Sequence, residues 1–255
     1  MKRIVTALVL IPTITWTILG APDVVFLAVL AATGLLAYRE FDRIVAAHGT
    51  LPAGWPGMAA GVVLLLVPHP AATIVLAAML GMALAMRASN LRASLSSAAA
   101  FVLGIVYIFG AWRCVAELRL IDRHWAMFAL LLGWAGDTAA LCVGRAMGRH
   151  KMAPRVSPAK TWEGAAGSVA GSVLAGTVYA HYLIPAAPLG WVLALSCAGN
   201  IAGQLGDLSE SALKRGAGLK DSGTMLPGHG GWLDRIDASL FSAPAVYAML
   251  MWFRG

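Results

Sequence analysis

The sequence predicts an all-α, polytopic integral membrane protein, and three observations lead to this class. Of the 255 residues, 59% are hydrophobic and only 12% are charged, whereas soluble domains carry roughly 25% charged residues. The apolar residues form long continuous runs, which favour helices over the short alternating strands of a membrane barrel. No Asp, Glu, Lys or Arg lies between Arg43 and Arg87 or between Glu163 and Asp207. Each interval accommodates two crossings of about 20 residues, so a soluble globule is excluded.

Apolar runs and their breakers predict about nine helices. The first follows Lys2 and Arg3; its apolar run is longer than that of a typical signal peptide, so we expect an uncleaved helix. Pro68 and Pro70 end the third run, which is short for a full crossing and is expected to be tilted or re-entrant. The predicted helices span residues 4–19, 23–38, 57–68, 71–86, 96–116, 125–143, 165–183, 188–206 and 237–253.

The distribution of Lys and Arg predicts the orientation of these helices. With a cytoplasmic N-terminus, 15 of the 19 basic residues fall on the cytoplasmic side, three fall on the opposite side, and Arg113 lies within a helix. This bias is the usual signature of cytoplasmic loops, and an even number of spans would break it. The net charge of +7 would suggest a nucleic-acid partner in a soluble protein. Here the basic residues are explained by the cytoplasmic loops, so no nucleic-acid partner is predicted. The two long polar segments, about 144–164 and 207–236, then face the cytoplasm, where we expect any chemistry.

One ionisable residue, Asp137, lies well inside a predicted span. A charge at that depth costs at least about 2.5 kcal/mol by insertion scales. Either the residue lines a buried polar cavity, or the span is misplaced and Asp137 caps a helix near the interface. The sequence alone leaves both alternatives open.

A second polar cluster follows the uncharged interval that ends at Asp207. If this stretch is helical, the spacing of i, i+3, i+4 and i+7 places one set of side chains on a single face. This set is Asp207, Glu210, Ser211 and Lys214. Asn200 and Gln204 precede it on roughly the same face. A polar stripe that continues into a membrane helix suggests a water-filled cavity rather than a solvated surface.

The densest cluster runs from Lys220 to Asp237. Asp234 and Asp237 are spaced i, i+3 where the last predicted helix begins. Glycines around His229 permit positive φ and close backbone approach, so the N–H groups of this loop could line an anion site. Carboxylates mixed with Lys and Arg on a flexible loop suit a phosphate substrate accompanied by Mg²⁺. The nearby basic residues are Lys214, Arg215 and Lys220.

Three segments together resemble the phosphatidate cytidylyltransferases (CDP-diacylglycerol synthases). The C-terminal segment contains Ser211-Ala-Leu-Lys214-Arg215, Lys220-Asp221, Leu226-Pro-Gly-His229-Gly-Gly231 and Asp234-Arg235-Ile-Asp237. The other two are Ser157-Pro-Ala-Lys160-Thr161-Trp-Glu163-Gly164, and Asp137-Thr138 with Gly144-Arg145 and Gly148-Arg149. One departure is Leu141, where the family often has Tyr, so a contact from that hydroxyl would be missing. The specific resemblance covers about 136–237; residues 1–135 agree only in hydropathy and span number.

The resemblance implies a reaction in which CTP and phosphatidic acid give CDP-diacylglycerol and pyrophosphate with the help of Mg²⁺. It implies one membrane domain, with N-terminal transmembrane helices over 1–135 and a C-terminal catalytic region over 136–255. The active-site cavity is expected to open to the cytoplasm, and the protein is expected to be a multi-pass protein of the bacterial cytoplasmic (inner) membrane. Its implied partners are CTP, phosphatidic acid and membrane lipids, and a homodimer stays open.

The resemblance also implies residue roles. A paired metal centre is carried over to Asp207 and Asp234, with Asp221 and Asp237 as further candidate ligands; one ion is Mg²⁺ and the identity of the second is open. The expected catalytic residues are Asp207, Asp234, Lys214, Arg215, Lys220 and Asp221. The expected substrate-binding residues are Ser157, Lys160, Thr161, Glu163, Asp137, His229, Gly230, Gly231 and Arg235.

Three alternatives compete with this interpretation. A CTP-dependent polyprenol-type lipid kinase would share carboxylates and basic loops but would transfer the γ-phosphoryl group to an alcohol. A membrane transporter would use buried carboxylates as an ion path and is expected to show paired halves with internal symmetry, which the sequence does not show. A catalytically inactive homologue would be expected to lack some of the matched acids and bases, which are all present here.

Overall fold

The computed structural model describes residues 2–87, 90–225 and 230–255, with the backbone alone for residues 2–9. The α-helices are α1 (Lys2–Leu19), α2 (Asp23–Ala47), α3 (Gly54–Leu66), α4 (Pro70–Ala85), α5 (Ser94–Gly104), α6 (Ala111–Ile121), α7 (Arg123–Met147), α8 (Trp162–Leu183), α9 (Leu189–Gly216), α10 (Leu233–Ile236) and α11 (Ser239–Arg254). A 3₁₀ turn (Leu91–Ala93) precedes α5, and a π-helical segment (Ile105–Gly110) joins it to α6. Strands β1 (Lys151–Ala153) and β2 (Ser157–Thr161) form an antiparallel hairpin.

Each predicted helix overlaps observed helical structure, and the one predicted over 96–116 is divided among α5, the π-helical segment and α6. Two observed helices extend well beyond their predicted ends. Helix α2 continues to Ala47 instead of ending at residue 38, because Glu40 and Asp42 are buried against protein rather than exposed in a loop. Helix α9 continues to Gly216 instead of ending at residue 206. The β1–β2 hairpin was not predicted, since its two strands are short and polar. The expectation of a predominantly helical fold is confirmed.

Several helices have the length and surface expected for a lipid environment. Within the described part of the chain, four are long and apolar enough to cross a membrane, namely Asp23–Ala47, Leu91–Ile121, Arg123–Met147 and Leu233–Arg254. Large apolar side chains on three of them are about four-fifths exposed, namely Val24, Leu95 and Trp252. Exposing such surface to water is unfavourable, whereas lipid accepts it. The count of nine spans stays a prediction.

The chain forms two compact units. The first comprises Met1–Arg113 with Leu213–Arg235, and the second comprises Cys114–Ala212 with Ile236–Gly255. These are units of packing, so the expected functional division at residue 136 stays a prediction.

The first unit is built around the aromatic end of α2. The ring of Tyr38 lies 5.8 Å from that of Phe109, and both side chains are fully buried. The carboxylate of Asp42 accepts the N–H groups of Ala53 (3.1 Å) and Gly54 (2.6 Å), which ties α2 to the start of α3. The C-terminal turns of α2 therefore point charged residues into a well-packed part of this unit.

The second unit is built on α7, α8 and α9, which share a buried polar network. The amide of Asn200 donates to the hydroxyls of Ser168 (3.0 Å) and Ser172 (2.7 Å), and Ser172 donates to the carbonyl of Leu132 (2.6 Å). Gln204 donates to the Asn200 carbonyl oxygen at 2.7 Å. Since Asn200 is only 3% exposed, it belongs to a hydrogen-bonded network that joins helices. The expectation that this stripe lines a water-filled cavity is therefore wrong at Asn200, whose side chain contacts protein groups instead.

Candidate functional site

In the second unit, the hairpin places Lys160 beside an aspartate of α9. Lys160 is the second-to-last residue of β2, and its ammonium lies 2.6 Å from Asp207 Oδ2. Thr161 then caps α8 by accepting the N–H of Gly164 at 3.1 Å, which satisfies one free donor of the first helical turn. Because β2 ends and α8 begins just after Lys160, the backbone of this residue is held in place. The Lys160 and Asp207 side chains are 27% and 34% exposed, so solvent or a substrate can reach this ion pair.

Glu163 fastens the start of the hairpin to α8. Its carboxylate accepts the N–H groups of Arg149 (3.1 Å) and His150 (3.2 Å) and contacts His150 Nδ1 at 2.5 Å. The hydrogen bond from the His150 side chain is the main reason that the pKa of the Glu163 carboxyl falls to about 2. The carboxylate of Glu163 is therefore ionised and engaged in protein contacts. Ser157, which was also expected to bind substrate, lies half-buried in β2 opposite Ala153.

Three acids of the second unit form a carboxylate cluster, consisting of Asp207, Glu210 and Asp237. Glu210 and Asp237 are 1% and 9% exposed, and their side chains are hydrogen-bonded to each other. Asp207 is close enough to interact electrostatically with Asp237. Two carboxyl groups in such contact need a shared proton or a cation to offset their repulsion. The cluster is therefore chemically suited to hold positive charge. The sequence placed Glu210 on the correct helix face without assigning it a role.

Asp137 lies inside α7, ten residues before the end of the helix, and its side chain is exposed. The alternative in which it caps a helix end is therefore wrong. Its neighbour Thr138 donates back to the carbonyl of Trp134 at 2.9 Å.

In the first unit, Asp234 is contacted by the last turn of α9 and by the described residues 217–225 and 230–232, here called the signature loop. Lys214 forms an ion pair with Asp234 Oδ1, and the two side chains are 9% and 8% exposed. Asp234 Oδ2 accepts the N–H groups of Ser222 (3.0 Å) and Gly231 (2.7 Å). Both carboxylate oxygens of Asp234 are thus engaged by this unit, and the loop amides predicted to bind an anion bind this carboxylate.

The remaining predicted residues of the first unit lie at its surface. Gly230 has φ of +78°, and a Cβ there would lie 2.8 Å from Asp234 Oδ2 and 3.4 Å from Asp221 Oδ1, so both acids flank this glycine. Arg215 donates to the Leu219 carbonyl at 3.0 Å. The exposed members are Arg215, Lys220, Asp221 and Arg235. His229, expected to bind substrate, lies outside the described residues.

Sequence reasoning missed Glu40. This side chain of α2 is 2% exposed, and its Oε2 accepts the Ser222 hydroxyl (2.8 Å) and the Leu233 N–H (2.8 Å). The signal was available, because Glu40 is an ionisable residue next to an apolar run, as Asp137 is. It was overlooked because the predicted helix ended at residue 38.

A cavity of about 280 Å³ opens beside this contact. It is lined by Arg39, Glu40, Arg43, Thr224 and Met225. Arg39 and Arg43 are exposed and one helical turn apart. Because guanidinium groups bind phosphate oxygens through paired hydrogen bonds, this cavity can receive an anionic group.

Fold and site together define a predominantly helical, membrane-type protein whose lysine–aspartate pairs and basic surface suit phosphate chemistry. The sequence model of the cytidylyltransferase family matches residues 1–253, and the chain belongs to this family.

Curated relatives share between a third and a half of the aligned residues. The phosphatidate cytidylyltransferase of Bacillus subtilis (strain 168) is 38% identical over 154 residues, which cover 59% of this chain and 57% of the relative. That of Staphylococcus saprophyticus is 39% identical over 163 residues, or 64% of this chain and 63% of the relative. That of Brucella suis is 48% identical over 124 residues, or 48% and 44%. The matched part of the chain thus spans at most 63% of the length of these three relatives.

Proposed function

We propose that the chain transfers the cytidylyl group of CTP to phosphatidic acid, giving CDP-diacylglycerol and pyrophosphate. A phosphate oxygen of phosphatidic acid attacks the α-phosphorus of CTP, and the bond from that phosphorus to the bridging oxygen of the β-phosphate breaks. The attacking oxygen is already anionic at neutral pH, so no strong general base is required. The observation that carries the proposal is the buried Lys214–Asp234 pair within the signature loop, found in a member of the cytidylyltransferase family.

The main barrier to this reaction is the repulsion between two anions, which basic side chains can offset. Lys160 is 27% exposed, so its ammonium can exchange Asp207 for a phosphate of CTP. We assign Ser157 and Thr161 to the same nucleotide contact, since they share β2 with Lys160. Lys214, Arg215 and Lys220 are assigned to the departing phosphates or to the lipid phosphate. Neutralisation by these groups lowers the barrier without proton transfer.

Mg²⁺ fits the acids of the second unit by their chemistry. Among the residues the structure describes, no group of three or more His, Cys, Asp or Glu side chains is placed so that it could hold a metal ion. A bound cation would nevertheless offset the repulsion between Glu210 and Asp237, as a shared proton also would, and Mg²⁺ prefers carboxylate oxygens with retained water. We propose Asp207 and Asp237 as ligands, with Glu210 beside them. When bound, the ion would offset charge on the reacting phosphates.

Asp234 and Asp221 are the other two proposed ligands. Asp234 already accepts two N–H groups and the Lys214 ammonium, so it would hold a cation only by exchanging a protein contact. Asp221 is exposed and can turn toward a cation. The pairing of Asp207 with Asp234 in one two-ion centre stays a prediction.

We also propose nine spans with a cytoplasmic N-terminus in a bacterial inner membrane. The proposal is supported by the Lys and Arg bias of the sequence and by the exposed apolar side chains of the long helices.

A direct assay tests the proposed reaction. Purified chain is incubated with CTP labelled at the α-phosphate, phosphatidic acid and Mg²⁺, and the expected products are a labelled nucleotide-bearing lipid and pyrophosphate. Release of CDP with a phosphorylated lipid alcohol, when a polyprenol is supplied, would favour the kinase alternative. No consumption of CTP with either lipid would contradict both enzymatic proposals.

Substitutions test the assigned roles in the same assay. Asp207→Asn and Asp234→Asn are each expected to abolish turnover without affecting membrane insertion, whereas Asp23→Asn, at the exposed start of α2, should remain active. Full activity of both site variants would remove the metal assignment. Lys160→Ala should raise the KM for CTP more than that for phosphatidic acid, and the reverse would show that the two subsites are exchanged.

A further inference from the structure

Glu40 joins two distant parts of the first unit through one carboxylate oxygen. Its Oε2 accepts hydrogen bonds from the Ser222 hydroxyl and the Leu233 N–H, both at 2.8 Å. Ser222 lies in the first part of the signature loop, and Leu233 follows directly after its last residue. Because both donors converge on a single buried acceptor, the carboxylate fixes the positions of Ser222 and Leu233 relative to each other.

The two donors of Glu40 are directly connected to Asp234. Ser222, whose hydroxyl binds Glu40, donates its own N–H to Asp234 Oδ2 at 3.0 Å. Leu233, whose N–H binds Glu40, is the residue that precedes Asp234. A shift of the loop away from Glu40 would therefore move an amide that binds Asp234 and the backbone that carries it.

The backbone at Gly223 and Gly231 packs closely against the Glu40 carboxylate. A Cβ added at Gly231 would lie 2.0 Å from Ser222 Oγ and 2.4 Å from Glu40 Oε2, and one at Gly223 would lie 2.2 Å from Glu40 Oε1. Two glycines thus let the loop backbone close directly onto the carboxylate. Burying a carboxylate this deeply is unfavourable unless strong hydrogen bonds compensate it, and the bonds from Ser222 and Leu233 supply that compensation at Oε2.

We propose that Glu40 is a positioning residue: from α2, its carboxylate sets the signature loop so that Asp234 is oriented by the amides of Ser222 and Gly231. The inference rests on the proposed function for its kinetic consequence, but its structural part stands apart from any reaction. Glu40 lies outside the three motif segments of the sequence analysis, although the family match covers residues 1–253.

Two variants of similar size separate hydrogen bonding from packing. Met and Gln are unbranched like Glu, but only Gln keeps an oxygen that accepts both donors. Glu40→Met is expected to lower kcat by about 100-fold, the loss typical of a small misplacement of catalytic groups, with little change in the KM for CTP. Glu40→Gln is expected to retain most of the kcat, because the Ser222 and Leu233 donors still find an acceptor.

Asp42 provides the matched control on the same helix. It is also buried and also accepts two hydrogen bonds, but from Ala53 and Gly54. Asp42→Ala should lower thermal stability and leave kcat close to that of the unaltered chain. A loss of kcat in Asp42→Ala as large as that in Glu40→Met would overturn the proposal, because any disturbance of α2 would then suffice.

Hydrogen–deuterium exchange measures the positioning itself. Peptides covering the described parts of the signature loop should exchange faster in Glu40→Met and at the original rate in Glu40→Gln and Asp42→Ala. This readout needs no turnover, so it decides the role of Glu40 even if the chain fails to transfer a cytidylyl group. An unchanged exchange rate in Glu40→Met would overturn the proposal.

Ser222→Ala provides a second test in case Glu40→Met does not fold. It removes one donor from the loop side and leaves the buried carboxylate and its packing in place. Faster exchange of the signature loop and a smaller loss of kcat are expected. An exchange rate equal to that of the unaltered chain would contradict the proposed role of Glu40.

Discussion

Two lysine–aspartate pairs with the same chemistry lie in different surroundings. The Lys214 and Asp234 side chains are 9% and 8% exposed, whereas those of Lys160 and Asp207 are 27% and 34% exposed. Removing one partner of a buried pair leaves an uncompensated charge and costs about 3–5 kcal/mol. Water screens an exposed pair, so its loss costs about 0–1 kcal/mol. The first pair is therefore expected to contribute more to the stability of the fold than the second.

The two lysines should accordingly separate stability from activity. Lys214→Met is expected to reduce the free energy of unfolding by about 3 kcal/mol, and Lys160→Met by at most about 1 kcal/mol, while both variants lose turnover. Thermal unfolding in detergent together with the CTP assay measures both effects. Equal losses of Tm in the two variants would show that the burial of Lys214 does not determine its contribution.

At the scale of elements, the hairpin depends on a contact that acid should release. Glu163 joins the residues before β1 to the first turn of α8 through Arg149 and His150. Its pKa falls from an ordinary value of 4.5 to about 2, chiefly because the His150 side chain hydrogen-bonds the carboxylate. The folded hairpin thus favours the ionised form. The stabilisation is complete above about pH 4.5 and is lost as the pH falls toward 2.

Hydrogen exchange of residues 148–162 checks this dependence. The exchange of these amides, corrected for the intrinsic effect of pH, should rise between pH 4.5 and pH 2 in the unaltered chain. In Glu163→Gln, exchange should be faster at neutral pH and should show no further rise over this interval. A rise of the same size in both proteins would contradict the role of Glu163.

Helix α7 offers a second comparison between two of its own glycines. A Cβ at Gly136 would lie 2.3 Å from Asn200 Nδ2 and within 2.8 Å of the Ser168 and Ser172 hydroxyls, whereas one at Gly133 would meet nothing within 4 Å. Gly136→Ala should therefore destabilise the protein by about 1–3 kcal/mol. Gly133→Ala should be neutral or stabilising, since Ala favours a helix by about 1 kcal/mol over Gly. Thermal unfolding of both variants measures the difference, and equal Tm values would refute the close approach at Gly136.

For the whole molecule, sequence reasoning predicted what depends on local pattern. The length of apolar runs predicted the helices, and the spacing of Asp207, Glu210 and Lys214 predicted their common helix. Contacts between distant residues were out of reach: Glu40 meets Ser222 and Leu233 across 182 and 193 residues. The Lys160–Asp207 and Lys214–Asp234 pairs have no periodic signal either. The residue roles came from the resemblance, and their chemistry stays a prediction.

The orientation of the whole molecule can be tested by labelling. In a chain whose three cysteines are replaced by serine, Lys151→Cys and Lys220→Cys should react with a membrane-impermeant maleimide in inside-out vesicles only. Both positions are exposed in the structure, and both belong to segments assigned to the cytoplasm. Labelling of either cysteine in right-side-out vesicles would contradict the proposed orientation.

Gly231 has the smallest side chain in this neighbourhood, and it is the residue there that is hardest to replace. A methyl group there would occupy space already filled by the Ser222 hydroxyl, the Glu40 carboxylate and the Gly223 nitrogen. No rotamer relieves this overlap, because Cβ is fixed by the main chain. A library randomised at codon 231, in cells whose growth depends on this protein, is therefore expected to return a single amino acid, although that amino acid contributes only a hydrogen atom.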